Sequence, residues 1–199
     1  MVEKQILSRI YGHKGGWVFT PAHFLDLGSR AVVGMALKSI CDRGLIRRLA
    51  RGLYDYPKKH PKLGPLAPTP EQIALALAGK DNLRIQPSGA YAANLLGLSD
   101  QVPAKVIFLT DGMNRTITVG NQEIILKRTT PKNMTAAGRT SGLVIQALRY
   151  LGQDHVDDSI VDVLARRLTK YDRQQLMKDI RYAPAWIGAI FRRLVEKDD

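Results

Sequence analysis

The spacing of apolar residues near the amino end predicts two amphipathic helices. In VEKQILSRIYG an apolar residue falls on the same face at every turn, which is the period of a half-buried helix. The same period in RAVVGMALKSICDRG assigns Val33, Leu37 and Ile40 to a buried face. Ser29 precedes this second helix as a capping residue, and Gly44 ends it.

Short runs of a different pattern predict strands and turns around these helices. Residues 17–19, WVF, are typical of a short strand, and Thr20 followed by proline opens a short helix through about Leu27. The run LIRRLARGLYDYP predicts a hairpin that turns at Ala50-Arg51-Gly52. The resulting order of helix, short strand, two helices and hairpin is that of a winged helix-turn-helix.

Strand and helix patterns alternate in the rest of the chain before it becomes helical. A hairpin is expected around Gly120-Asn121, a dipeptide suited to positive φ. The other expected elements are helices near 70–79 and 88–96, strands at 83–86 and 104–109, and four helices from Thr140 onward, the last reaching Lys197. The fold class is therefore α+β, an N-terminal winged helix-turn-helix followed by a mixed α/β domain with a helical tail.

A proline-rich segment, PKKHPKLGPLAPTP, separates the two regions. Proline favours extended backbone and resists helix and central strand, so the segment predicts a domain boundary. We expect a winged helix-turn-helix over residues 1–62, a linker over 63–70 and an α/β domain over 71–199.

Charge changes this picture, because it is concentrated in the predicted winged helix. The net charge is +12, and residues 1–62 carry twelve lysines and arginines against four acidic residues, whereas the rest carries eighteen against fourteen. A basic domain of this kind most often binds nucleic acid. A membrane surface would call for an amphipathic helix with aromatic anchors beside the cations, and the sequence has none.

The candidate DNA contacts follow from the buried face of the second helix. If Val33, Leu37 and Ile40 are buried, residues four apart on the opposite face form one stripe that can enter a major groove. The hairpin arginines would then contact phosphates or a minor groove. The predicted DNA-binding residues are Ser29, Arg30, Gly34, Lys38, Arg47, Arg48 and Arg51. Two alternatives stay open at this point, a winged helix that binds only protein and one that binds RNA.

The aromatic residues on the predicted strands have two interpretations. Trp17 alternates with Phe19, and Tyr54 with Tyr56, and this two-residue period favours packing against the helices. Stacking of Tyr54 on a nucleic-acid base is the alternative.

Enzymatic motifs are not evident in the sequence. The four histidines lack zinc-site spacing, and no phosphate-binding loop or nucleophile elbow is present. Cys41 lies within the second helix, and Asp157-Asp158 suits a helix cap. The nearest nuclease-like set is Asp111, Glu123 and Lys127, but apolar Ile125 interrupts its strand face. We therefore expect no enzyme activity, no cofactor and no metal, in a cytoplasmic protein with a single cysteine and no membrane span.

Several segments resemble AbiEi-like antitoxins of type IV toxin–antitoxin systems, in particular the DUF6088 group. The resemblance covers essentially the whole chain. The segments that carry it are GGWVFTPAHFLDLGSRAVVGMALKSICDRGLIRRLARGLYDYP, PSGAYAANLLGLSDQVPAKVIFLTDG, LKRTTPKNM and SGLVIQALRYLG.

The resemblance implies a function for each region. The winged helix would bind an inverted-repeat operator at its own promoter, as a dimer or a cooperative pair, and repress transcription. The second region would counteract a nucleotidyltransferase toxin, in many relatives without a stable complex. A stand-alone regulator or a protein-interaction module without a toxin partner is the alternative. No short motif marks antitoxic residues, and the basic candidates are Arg128, Lys132, Arg139, Arg166 and Arg167.

Overall fold

The computed structural model of the protein describes residues 1–79 and 83–196. The chain divides into two compact units. One consists of Met1–Leu83 with the segment Ile117–Ile124, and the other consists of Arg84–Thr116 with the chain from Ile125 onward. Helices predominate and the sheets are small, so the predicted α+β class is confirmed. Among the described residues, no helix has the length and apolar character that crossing a membrane requires.

In the first unit the two predicted amphipathic helices, the short strand at 17–19 and the hairpin that follows the second helix are confirmed. The elements of this unit are α1 (Val2–Gly12), β1 (Trp17–Phe19), a 3-10 helix (Pro21–Phe24), α2 (Arg30–Asp42), β2 (Arg47–Ala50), β3 (Leu53–Tyr56), β4 (Lys59–His60), β5 (Gly64–Pro65) and α3 (Pro70–Ala78).

The three-stranded sheet of this unit has a different cover on each face. Its order is β1-β3-β2, with both pairs antiparallel. Phe19, Tyr54 and Tyr56 pack on the same core as Ile6, Leu37 and other residues of α1 and α2, so the predicted packing of the aromatic residues is confirmed. Alternation then directs Val18, Leu53 and Asp55 to the opposite face, where all three are also buried.

The helix α3 explains why that opposite face is buried. It packs against β1, and its residues Ile73, Ala74 and Leu77 are buried. Thr69 caps it by accepting the N–H of Gln72, and Pro70 occupies its first position. This helix was expected in the second domain but belongs to the first compact unit. The assignment of residues 71–199 to a separate α/β domain stays a prediction.

Two local predictions need correction. The short helix expected through Leu27 is a 3-10 helix that ends at Phe24, since the chain turns at that point with the N–H of Leu27 donating to the carbonyl of Phe24. The proline-rich segment was expected to be extended, but residues 59–65 form a small antiparallel hairpin, β4–β5. A positive φ at Gly64 permits its tight return.

The rest of the chain follows the predicted alternation closely. Its elements are β6 (Ile85–Ser88), α4 (Gly89–Leu95), β7 (Lys105–Thr110), β8 (Arg115–Val119), β9 (Gln122–Arg128), α5 (Pro131–Met134), α6 (Thr140–Leu151), α7 (Asp158–Arg167), α8 (Lys170–Asp179) and α9 (Ala185–Glu196). The strand expected at 83–86 begins two residues later than predicted. In the β8–β9 turn Gly120 has positive φ but Asn121 does not, which suits a turn that needs only one such residue. Lys197, the predicted end of the last helix, lies outside the described residues.

The second unit is held by a helical core and by a buried carboxylate. Residues of α4, α6, α7, α8 and α9 form one apolar cluster. Beside it, the buried Asp179 accepts hydrogen bonds from Arg139 at 2.7 Å, from Gln175 at 3.1 Å and from Ser141. These donors satisfy a carboxylate that would be costly to bury alone, so Arg139 is part of the structure of this unit.

Candidate nucleic-acid interface

The predicted recognition helix α2 presents the expected residues to solvent. Ser29 caps it by accepting the N–H of Val32 at 3.4 Å. Because Val33, Leu37 and Ile40 are fully buried, the opposite face is the exposed one. Arg30 and Lys38 lie on that face and are exposed.

Gly34 lies on the same face, between these two cations. A Cβ added there would meet no atom within 4 Å, so packing inside the protein does not require glycine at this position. A helix-interior glycine costs about 1 kcal/mol relative to alanine. Its presence is therefore unexplained by the fold and fits a backbone that approaches a ligand closely.

The exposed face of α2 also carries apolar residues, which the charge pattern of the sequence does not indicate. Met35 is 66% exposed and Val32 is 38% exposed. Apolar side chains in a major groove can contact the methyl group of thymine. The helical spacing of Met35 from Lys38 was the available signal, because it assigns both residues to one face.

The hairpin formed by β2 and β3, called the wing from here on, separates its arginines by its register. Arg47 faces Asp55 across the β2–β3 pair, and Arg48 faces Tyr54. Cross-strand partners share a face, so Arg48 lies on the side of Tyr54, which packs on the core of α1 and α2. Arg47 lies on the side covered by α3. These two adjacent arginines therefore lie on opposite faces of the sheet. Arg48 is exposed, whereas Arg47 is half-buried.

Arg47 is bound inside the unit. Its Nε donates to Oδ1 of Asp55 at 3.0 Å, its Nη2 donates to Oδ2 at 2.5 Å, and Nη2 also donates to the carbonyl of Leu66 at 2.6 Å. The hydrogen bonds that Arg47 donates to Asp55 raise the pKa of its guanidinium above its ordinary value. The structure gives Arg47 a structural role, and its predicted contact with DNA stays a prediction.

The turn of the wing leaves its arginine unburied. Arg51 and Gly52 form the turn between β2 and β3, and Arg51 is exposed. The positive φ of Gly52 permits this two-residue connection. A cation at the tip of such a ribbon can reach a phosphate or enter a minor groove.

A second ion pair fixes the 3-10 helix against α1. Arg9 donates to both carboxylate oxygens of Asp26, at 2.9 and 2.6 Å, and to the carbonyl of His23 at 2.7 Å. The side-chain hydrogen bonds to Asp26 raise the pKa of Arg9. Because only residues 25–29 connect the 3-10 helix to α2, the ion pair between Arg9 and Asp26 helps to set the position of the predicted recognition helix.

The residues weighed for enzymatic roles have structural partners. Asp111 accepts from the Nε and the N–H of Arg84 at 2.9 and 3.0 Å, and the side-chain hydrogen bond from Arg84 lowers the pKa of Asp111. Asp157 caps α7 by accepting the N–H of Ile160, as predicted, and Cys41 is half-buried at the edge of the core. No cluster of three metal-ligating side chains occurs in residues 1–79 and 83–196.

The basic candidates of the second unit separate into two groups. Arg139 is bound to Asp179. Arg167 is exposed, but its guanidinium lies against Gly97, where an added Cβ would collide with it. Arg128, Lys132 and Arg166 are exposed.

The comparisons with known proteins establish the family. The chain belongs to the family of unknown function DUF6088, which matches residues 5–176. No curated protein matches the chain.

Two neighbouring arginines provide a matched test of the wing. Arg47→Ala should lower the free energy of unfolding by about 2–3 kcal/mol, because Asp55 is 2% exposed and would lose its charge partner. Arg48→Ala should change it by no more than about 0.5 kcal/mol. Urea denaturation of the two variants measures both values. Equal effects would contradict the separation of the two side chains onto opposite faces.

Proposed function

We propose that this protein is a DNA-binding transcriptional repressor of its own promoter. The supporting observation is how the charge of its first 62 residues is divided. Glu3, Asp26 and Asp55 are each paired with an arginine of the same unit. The excess charge is therefore carried by exposed cations, which are Lys4, Lys14, Arg30, Lys38, Arg48, Arg51, Lys58, Lys59 and Lys62.

The proposed geometry assigns a separate role to each basic element. α2 lies in the major groove, whose width admits one helix. Arg30, in its first turn, contacts a base edge, and Lys38 contacts the backbone further along the groove. Arg48 and Arg51 of the wing contact phosphates or the neighbouring minor groove. Two copies of the protein, as a dimer or a cooperative pair, bind the two halves of an inverted repeat.

A protein-interaction module is the second candidate, and one observation favours it. Met35, at 66% exposure, lies on the same face as the cations of α2, and methionine is common at adaptable protein-binding surfaces. The charge of the wing favours DNA instead, since an apolar partner would not require so many exposed cations. No catalytic activity is part of either proposal.

The antitoxin role rests on the resemblance to AbiEi-like proteins. We propose that the second region counteracts a nucleotidyltransferase toxin encoded beside this gene, in the cytoplasm and without the need for a stable complex. Membership in DUF6088 is consistent with that role but does not specify it. The exposed cations Arg128, Lys132 and Arg166 are the basic candidates for it.

Arg30 and Arg51 should differ in how their loss affects DNA binding. With a duplex from immediately upstream of the coding sequence, Arg30→Ala should relax sequence preference, with a loss of about 1–3 kcal/mol on the preferred site. Arg51→Ala should weaken binding to all duplexes alike and reduce the slope of log K against log salt by about 1. Fluorescence anisotropy across a salt series measures both. Lys127→Ala, an exposed cation of β9, is the control, and indifference of the affinity to both changes would contradict the proposal.

Gly34→Ala should separate stability from binding. The added methyl group has open space, so the variant should be about 0.5–1 kcal/mol more stable in urea denaturation. Its affinity for the same duplex should fall, because the methyl group would hold the helix backbone away from the bases. An unchanged affinity together with the higher stability would mean that the helix does not approach DNA at this residue.

The two proposed activities should be separable in the full-length chain. The double variant Arg30→Ala/Arg51→Ala should lose repression of a reporter behind its own promoter. It should still restore growth to cells that express the neighbouring nucleotidyltransferase, because neither residue belongs to the second unit. Failure of the unaltered protein to restore growth would exclude the antitoxin role and leave the repressor proposal standing.

A further inference from the structure

The hairpin β4–β5 is a built element of the first unit. Lys59 pairs with Pro65 and His60 with Gly64. The N–H of Leu66 donates to the carbonyl of Lys58 at 2.9 Å, which closes the base of the hairpin. The turn is closed by the imidazole of His60, whose Nδ1 accepts the N–H groups of Lys62 and Leu63 at 3.2 Å each.

The hairpin is also tied to the wing. Arg47, which lies in β2 and is paired with Asp55, donates to the carbonyl of Leu66 at 2.6 Å. On another side, Gly15 approaches the hairpin so closely that an added Cβ would lie 3.3 Å from the Cα of Lys58. Two contacts from different parts of the unit therefore hold the base of the hairpin, so its turn has a defined position.

Apart from His60, the side chains that this hairpin exposes are cationic or apolar. Lys58, Lys59 and Lys62 are exposed, and the segment from Pro57 to Pro70 contains no acidic residue. Leu63, in the turn, is 74% exposed. A large aliphatic side chain held out at a turn among lysines loses contact with water only when a partner covers it.

We propose that this hairpin binds the minor groove of duplex DNA, with Leu63 inserted between two base pairs and the lysines on the flanking phosphates. Minor-groove proteins commonly use an apolar wedge of this kind to unstack a base step, together with nearby cations. The inference rests on the proposed DNA-binding function and extends it to a contact outside α2 and the wing.

The position of the hairpin in the fold suits such a contact. The turn of the wing precedes β3 and the hairpin follows it, so the two lie at opposite ends of a four-residue strand, which spans about 13 Å. Lys59 lines a recess of about 390 Å³ together with Gly44 and Leu45. Gly44 and Leu45 directly follow the carboxyl end of α2, so the hairpin lies near that end of the helix. A helix in the major groove has a minor groove on each side, so cationic loops at both ends can reach both grooves.

The test measures base unstacking directly. The full-length protein is mixed with a duplex from immediately upstream of its coding sequence. In a series of such duplexes, 2-aminopurine replaces, one at a time, each adenine of the region that the bound protein protects from nuclease digestion. Binding should raise the fluorescence at one or two positions by at least two-fold, because the probe base loses its stacking. Leu63→Ala should abolish this rise and weaken binding about five- to ten-fold, whereas Leu63→Met should preserve most of both. Lys62→Ala should reduce the salt slope but keep the fluorescence rise.

Controls separate this proposal from the one on which it rests. Val102→Ala, at a residue that is 78% exposed in the other unit, should leave both the fluorescence and the affinity unchanged. If the unaltered protein binds the duplex without any fluorescence rise, or if Leu63→Ala keeps the rise, the wedge is excluded while the repressor proposal stands. If the unaltered protein does not bind the duplex at all, both proposals are overturned.

Discussion

The ion pair between Arg47 and Asp55 is the interaction on which the first unit depends. Asp55 is buried on the face of the three-stranded sheet that points away from α1 and α2. A buried carboxylate is costly unless a charged donor satisfies it, and Arg47 satisfies it with two hydrogen bonds. The same guanidinium also holds the carbonyl of Leu66. One side chain therefore fixes the register of the wing and the base of the second hairpin together.

This arrangement explains the crowding of arginines in LIRRLARGLYDYP. Charge alone assigned Arg47, Arg48 and Arg51 to one role, but strand alternation gives adjacent residues different neighbours. Arg47 serves the fold, whereas Arg48 and Arg51 are exposed. The signal that could have separated them was Asp55, an acidic residue in a basic ribbon. The two-residue turn by itself would pair Asp55 with Arg48, and the register shift between Arg48 and Ala50 pairs it with Arg47 instead.

Local signals predicted much of the fold, and long-range contacts account for what they missed. Ser29 marked the start of α2, because a cap acts on its own helix. The hairpin β4–β5 could not be predicted from its prolines, since its base is held by Arg47 and Gly15 from elsewhere in the chain. The exposure of Arg30 and Lys38 was predictable from helical spacing, because it follows once the opposite face of α2 is assigned to the core. Leu63 was not, since its exposure depends on that hairpin.

The cover that α3 provides has a consequence for how this family can change over generations. Val18 is buried where α3, which follows the proline-rich stretch, packs against β1. A recombination event that exchanged only residues 1–62 between relatives would pair one sheet with another relative's lid, and the fit of those apolar surfaces would be lost. Recombination within this first unit should therefore favour breakpoints beyond Ala78, so that α3 is inherited together with the sheet against which it packs.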